Sequence, residues 1–250
     1  AVHRAIRRGR SRIWLATPAS RRLGITSEET LSALLEGAAL GNYRFDRFRE
    51  EKKLKPLEAV GLLVSPAEAA AFADLPQRVE TVCAGTCLAR EWVTMPANEK
   101  RPEELARLMA LAAGDAGIKA EILDEKALEE KGLSTLLAVG SGSNSPPRLV
   151  LLEWSPRRDT GTTVLVGKGV TFDSGGLDLK SSESLTDMKI DVAGAAAVAA
   201  TLVTAARLDL GRRLVGVIPL VENMPSGSAI RPGDIVRSHA GKTVEINNTD

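Results

Sequence analysis

Lys168, Asp173, Lys180, Asp187, Lys189 and Asp191 fall within one stretch of the chain, residues 164–200. Carboxylates gathered this way suit hard divalent cations such as Mg, Mn or Zn. A further carboxylate, Asp250, closes the polar turn Ile246-Asn247-Asn248-Thr249-Asp250, which follows a strand read at 243–246. Carboxylate-rich two-metal sites stabilise both an attacking nucleophile and the oxyanion it creates. Lys180 can supply a point charge to that oxyanion. Lys168, flanked by Gly167 and Gly169, is the unusual member. Burial and cationic neighbours both disfavour an ammonium, and a neutral amine can ligate a metal.

Three other readings fit the same residues. A lysine after glycine is a feature of phosphate-binding loops, but Gly169 stands where Ser or Thr should follow and the upstream glycine is missing. Asp173 beside Ser174-Gly175-Gly176 can be a structural Asx turn. Asp187, Lys189 and Asp191 can form a solvated helix face. Residue types and spacing leave these alternatives open.

The elements around these residues follow an α/β pattern. The apolar run 163–166 reads as a buried strand, and Lys168 and Asp173 follow its end. Ligands of α/β sheets sit at the carboxyl ends of strands. The small-residue run 193–200 suits a closely packed helix. Near the start, Arg4, Arg7, Arg8, Arg10, Arg12, Arg21 and Arg22 occur without an acid. A transit peptide or a nucleic-acid patch would look similar. A solvated helix followed by a strand at 12–16 is preferred, because Ile13-Trp14-Leu15 is too apolar for a flexible arm. A helix capped at Thr26 or Ser27 follows, with Glu28 and Glu29 in its first turn. Residues 52–55 read as a charged turn and 59–64 as a strand. Ser65-Pro66 opens another helix, and helical composition continues to about Met95, broken at Leu75-Pro76.

Residues 96–99 mark a boundary. Beyond them come helix 102–116, strand 120–123 and helix 125–131. The apolar run 136–139 leads into Gly140-Ser141-Gly142-Ser143, which departs from a dinucleotide loop at Ser145 and Pro146-Pro147. Strands at 149–154, 164–166 and 214–221 and a loop at 222–232 complete the series. The expected architecture is a smaller N-terminal α/β domain (1–75), a long linker helix (76–95) and a domain with a mostly parallel sheet (96–250), incomplete at its C-terminus.

Hydrophobic residues at 44% can build a sizeable core, and a formal net charge of +1 gives no overall field for nucleic acid or membrane. Cys83 and Cys87, with no nearby His, fit neither a zinc site nor a disulfide framework. No continuous apolar run approaches the roughly 20 residues of a membrane span.

Gly167-Lys168-Gly169-Val170-Thr171-Phe172-Asp173-Ser174-Gly175-Gly176 resembles the leucyl aminopeptidase (cytosol aminopeptidase) family. Met188-Lys189-Ile190-Asp191 with Gly194-Ala195-Ala196, and Asn248-Thr249-Asp250, fit the same resemblance. Tyr43-Arg44-Phe45-Asp46, Asn98-Glu99-Lys100 and Pro146-Pro147-Arg148-Leu149 add weaker matches. The resemblance implies two divalent ions per subunit, Mn or Zn, held by Lys168, Asp173, Asp191 and Asp250, with Asp173 bridging. It implies Lys180 as the catalytic, oxyanion-stabilising lysine. Substrate contacts are implied for Lys168, Asp173, Lys180, Met188 and Asn248. The implied activity is removal of leucine and other apolar N-terminal residues from peptides by metal-activated water. The implied setting is a cytoplasmic homohexamer, with no membrane partner. The family motif continues past Asp250 with a small residue, a bridging Glu and, after Gly, an Arg. The expectation for these 250 residues alone is therefore weak metal binding and no useful peptidase activity. The alternative is a non-catalytic scaffold or DNA-binding relative of the same fold.

Overall fold

The computed structural model describes residues 1–18, 24–51, 54–157 and 160–250. Arg21 and Arg22 of the basic start, and Lys52 and Lys53 of the charged turn, lie outside the described residues. The chain forms two compact units, Ala1–Cys87 and Leu88–Asp250.

The first unit begins with α1 (Val2–Arg7) and β1 (Arg12–Ala16), followed by α2 (Ser27–Asn42), β2 (Ala59–Leu63), α3 (Pro66–Ala71) and the start of α4 (Leu75–Thr94). The first helix is anchored as well as solvated: Val2 and Ile6, four apart, are buried against Ala38 and Leu57. Thr26 caps α2 through a reciprocal box, in which Glu29 N donates to Thr26 Oγ1 at 3.1 Å and Thr26 N donates to Glu29 Oε2 at 2.7 Å. Ser65 and Glu68 form the same box on α3. The two strands pair in parallel from Arg12↔Ala59 to Ala16↔Leu63. Cys83 is buried with Leu31, Leu75 and Val79, as a small apolar side chain would be.

In the second unit a 3-10 turn (Ala97–Glu99) leads into α5 (Pro102–Gly114), β3 (Lys119–Leu123), α6 (Glu125–Glu130), α7 (Ser134–Gly140), β4 (Arg148–Trp154), β5 (Thr162–Val166) and β6 (Gly169–Asp173). Then come α8 (Ser182–Leu185), a 3-10 turn (Met188–Ile190), α9 (Ala193–Arg207), β7 (Arg213–Asn223), β8 (Ile235–Arg237) and β9 (Thr243–Glu245). Residues 136–139 are therefore helical, so the glycine-serine turn follows a helix, the wrong context for a dinucleotide loop.

The α/β class is as expected, but the sheet is mixed where a mostly parallel one was expected. The long strand β7 lies at its centre. One edge of β7 holds β4 antiparallel, with β3 antiparallel beyond it. The other edge holds β5 and then β6, both parallel. The link from β4 to β5 explains the mixture. It spans only residues 155–161, too few for the crossover of a dozen or more residues that a parallel return needs. The crossover from β6 to β7 contains α9, and there the pairing is parallel. Ala195, Ala196, Ala199, Ala200, Leu202 and Val203 of α9 are buried. Residues Met188–Arg207 are long and apolar enough to cross a membrane by length and composition alone. The contacts of α9 with β4, β5, β6 and β7 account for that composition.

Candidate metal centre

Lys168 and Asp173 are placed by the edge of β7, and Lys180 by the turn after β6, where its N donates to Ser174 O at 2.9 Å. Strands β5 and β6 keep one register along it, from Val166↔Val217 to Gly169↔Leu220. They behave as one strand interrupted at Gly167-Lys168. Gly167 N still donates to Val217 O at 3.0 Å, while Lys168 O accepts from Ala195 N at 2.8 Å. Glycine is needed on both sides of the lysine. A Cβ on Gly167 would lie 2.6 Å from Gly194 O, and one on Gly169 would lie 2.2 Å from Pro219 O.

Lys168 and Asp173 are five residues apart, so a regular strand would point them to opposite faces. The register shifts between Val170 and Phe172, leaving Thr171 as an extra residue. A bulge of this kind reverses the alternation. Lys168, Val170 and Asp173 consequently line the same cavity of about 340 Å³.

Asp173 is buried at 5% exposure. Its Oδ1 accepts from Gly175 N and from Asn223 Nδ2, each at 2.9 Å. The Asx turn considered from the sequence is therefore present, and it occupies one oxygen only. The other, Oδ2, faces Lys180 Nζ at 3.6 Å. Lys180 also pairs with Asp250 Oδ1. Asp250 is held there through Thr249. Thr249 Oγ1 donates to Gly175 O at 2.8 Å, and Thr249 N donates to Asp178 Oδ2 at 2.8 Å. Asn223 Nδ2 donates to Thr249 O at 2.9 Å, so one amide serves both Asp173 and the 249–250 segment.

Asp191 follows the turn Met188–Ile190 and meets Lys168, whose Nζ lies 2.6 Å from Asp191 Oδ2. The contact is an ion pair without hydrogen-bond alignment, and Oδ2 is a buried oxygen with no hydrogen-bond partner. Asn248 lines the cavity and its Oδ1 accepts from Asp250 N at 2.6 Å. Met188 opens the turn before Asp191, outside the cavity lining. Val139, Ile230, Val236, Val244 and Ile246 form the apolar wall.

Among the described residues no three His, Cys, Asp or Glu side chains converge as an ion-binding group on their own. Carboxylates instead alternate with lysines: Lys168 with Asp191, and Lys180 between Asp173 and Asp250. This donor set fits hard divalent ions. Asp191 Oδ2 is buried and unsatisfied by any hydrogen bond, and Asp173 Oδ2 is left over from the turn that fixes its partner oxygen. Buried carboxylate oxygens need a cation, and here each faces only an ammonium. Asn223 was not visible as a site residue in the sequence. Its signal is positional: β7 runs two residues past its apolar stretch and brings Asn223 opposite Asp173.

The glycine-serine turn is tied to the end of β7 and the loop beyond it. Ser143 Oγ donates to Glu222 Oε2 at 2.5 Å, and Ser141 Oγ accepts from Ile230 N at 3.1 Å.

Residues 87–250 match the family described as "Cytosol aminopeptidase family, catalytic domain". A probable cytosol aminopeptidase from Syntrophotalea carbinolica is 43% identical over 232 residues, covering 91% of this chain and 47% of the relative. One from Streptomyces griseus is 40% identical over 264 residues, covering 98% and 51%. The solved structure of the bottromycin maturation enzyme BotP in complex with Mn superposes with a TM-score of 0.82 at 42% identity, covering 90% of this chain and 47% of BotP. The chain thus spans about half the length of the relatives it matches.

Proposed function

This chain belongs to the cytosol aminopeptidase family, and on that premise we propose that the whole protein is a two-metal exopeptidase that removes leucine and other apolar N-terminal residues from peptides. The observation that carries the reading is the bulge at Thr171, which brings Lys168 and Asp173 to one cavity with Asp250. Lys168, Asp173, Asp191 and Asp250 would hold two divalent ions, Mn or Zn, with Asp173 shared. Such ions supply Lewis-acid polarisation of the scissile carbonyl and a water acidic enough to attack at neutral pH.

The chain's own residues have distinct tasks. Asn223 and Gly175 N fix Asp173 so that one oxygen stays available. Lys180, 16% exposed, keeps a positive charge beside Asp173 and Asp250. An ammonium in a partly desolvated position stabilises an oxyanion as it develops. The wall of Val139, Ile230, Val236, Val244 and Ile246 sets an apolar surface beside these charges. Asn248 lies on the polar side and Met188 at the entrance to the Asp191 turn; both are proposed to contact substrate. A cytoplasmic homohexamer acting on peptides with free N-termini belongs to the same proposal.

Hydrolysis of Leu-p-nitroanilide by the full-length protein tests the reading. Activity is expected to need Mn²⁺, to vanish on chelation and to return on metal addition. K180M is expected to lower kcat by about 10²–10³-fold, the scale of losing one oxyanion donor. Metal-independent hydrolysis, or full kcat in K180M, would contradict it.

A further inference from the structure

Lys100 is the largest fully buried side chain among the described residues, with 0% exposure. Among the described residues its ammonium has no carboxylate partner. It donates to Trp92 O at 3.0 Å, to Val93 O at 2.7 Å and to Lys189 O at 2.7 Å. The first two acceptors lie in the last turn of α4, where helix carbonyls lack partners and the helix dipole favours a cation. The third lies in the turn Met188–Ile190, two residues before Asp191. Three hydrogens meet three carbonyls, so the buried charge is fully hydrogen-bonded and ties position 100 to position 189, 89 residues along the chain.

The turn it grips packs beside β6 and closes on its own backbone, Ile190 N donating to Asp187 O at 2.9 Å. Its flanking residue Asp187 makes no side-chain cap to it, and Ile190 is exposed. From the other side, Ala195 N is tied to Lys168 O. Asp191 thus lies between the Lys100 contact before it and the α9 contact after it, and of these the Lys100 contact is the side-chain hydrogen bond to the turn's backbone.

We propose that Lys100 is a positioning residue for Asp191, fixing through the Lys189 carbonyl the turn that presents the Asp191 carboxylate to the metal centre. The proposal rests on the reading of Asp191 as a metal ligand. A shorter or apolar side chain at position 100 frees the Lys189 carbonyl, and the turn no longer holds Asp191 opposite Lys168. Groups that orient a ligand without touching the metal typically change metal affinity 10–100-fold when removed.

Calorimetric titration of Mn²⁺ into the full-length protein tests this, using K100M, K100Q, D191N and the double variants of each Lys100 change with D191N. K100M is expected to weaken Mn²⁺ binding about tenfold or more, and K100Q, which keeps a donor with shorter reach, by less. On the D191N background neither change should weaken binding further, although both should still lower the melting temperature. Wild-type Mn²⁺ affinity in K100M and K100Q, beside a loss in D191N, would overturn the proposal. So would an equal loss on both backgrounds, which marks a general packing role. Wild-type binding by D191N would instead sink the ligand reading of Asp191. If K100M does not fold, K100Q in the two backgrounds carries the same comparison.

Discussion

Asp173 divides its carboxylate between two jobs. One oxygen is bound by Gly175 N and Asn223 Nδ2, and the other faces Lys180. Asn223 is the less obvious partner, because its second hydrogen bond secures Thr249 O. N223A leaves that carbonyl and Asp173 Oδ1 short of a donor, and is expected to destabilise the fold by about 1–3 kcal/mol. Urea unfolding of the variant checks this, and an unchanged midpoint would refute it. Lys100 gives a pH signature. Burial, and to a lesser degree the charge of Lys189, push its amine down from 10.5 to about 8. Between those values the unfolded chain binds more protons than the folded one. The stability from this group is complete above 10.5 and is lost as pH falls through about 8. Compared with K100M, the wild type is expected to gain stability as pH rises through that window. A constant gap in urea midpoints from pH 7.5 to 10.5 would contradict this. Residue types made the aspartates and Lys168 legible in the sequence. Asn223 and Lys100 were not legible as support, since an amide and a lone lysine carry no spacing signal until the strands and turns are placed.

Strands and helices were legible where local chemistry was strong. The caps at Thr26 and Ser65 and the apolar runs of β1 and β2 belong to this class. Residues 136–139 were ambiguous because a short apolar run fits a strand or a helix. The bulge at Thr171 was invisible, since nothing in Gly-Val-Thr-Phe-Asp marks which residue loses its partner. Yet that bulge decides whether Lys168 and Asp173 share a face. Close backbone approach is its companion: β6 lies against β7 where Gly169 has no room for a Cβ. G169A is expected to part these strands and cost about 1–3 kcal/mol, as overpacking does. G114A, at the end of α5 with open space around it, is expected to stabilise by about 0.5–1 kcal/mol. Thermal unfolding of the two variants should move in opposite directions; a shift of the same sign in both would contradict the packing argument.

At the scale of the molecule, the α/β class followed from alternating elements, but the sheet's mixed direction did not. Pairing direction depends on whether a link is long enough to cross over, and the short 155–161 link forces β4 to run against β7. The second unit, Leu88–Asp250, contains every candidate site residue, and the family match covers almost the same span, 87–250. Within it, Lys168 offsets Asp191 and Lys180 serves both Asp173 and Asp250, so the fold is expected to persist without metal and to gain from it. At 100 times its dissociation constant, a bound ion stabilises a folded protein by about 2.7 kcal/mol per site. Saturating Mn²⁺ is therefore expected to raise the melting temperature of the full-length protein, and an unmoved melting temperature would count against the site. The central claim, that Asp173 is the shared carboxylate of a two-ion centre, is tested most directly by counting ions. Calorimetry with Mn²⁺ on the full-length protein and on D173A is expected to find two ions per chain in the first and none in the second; unchanged occupancy in D173A would contradict the assignment.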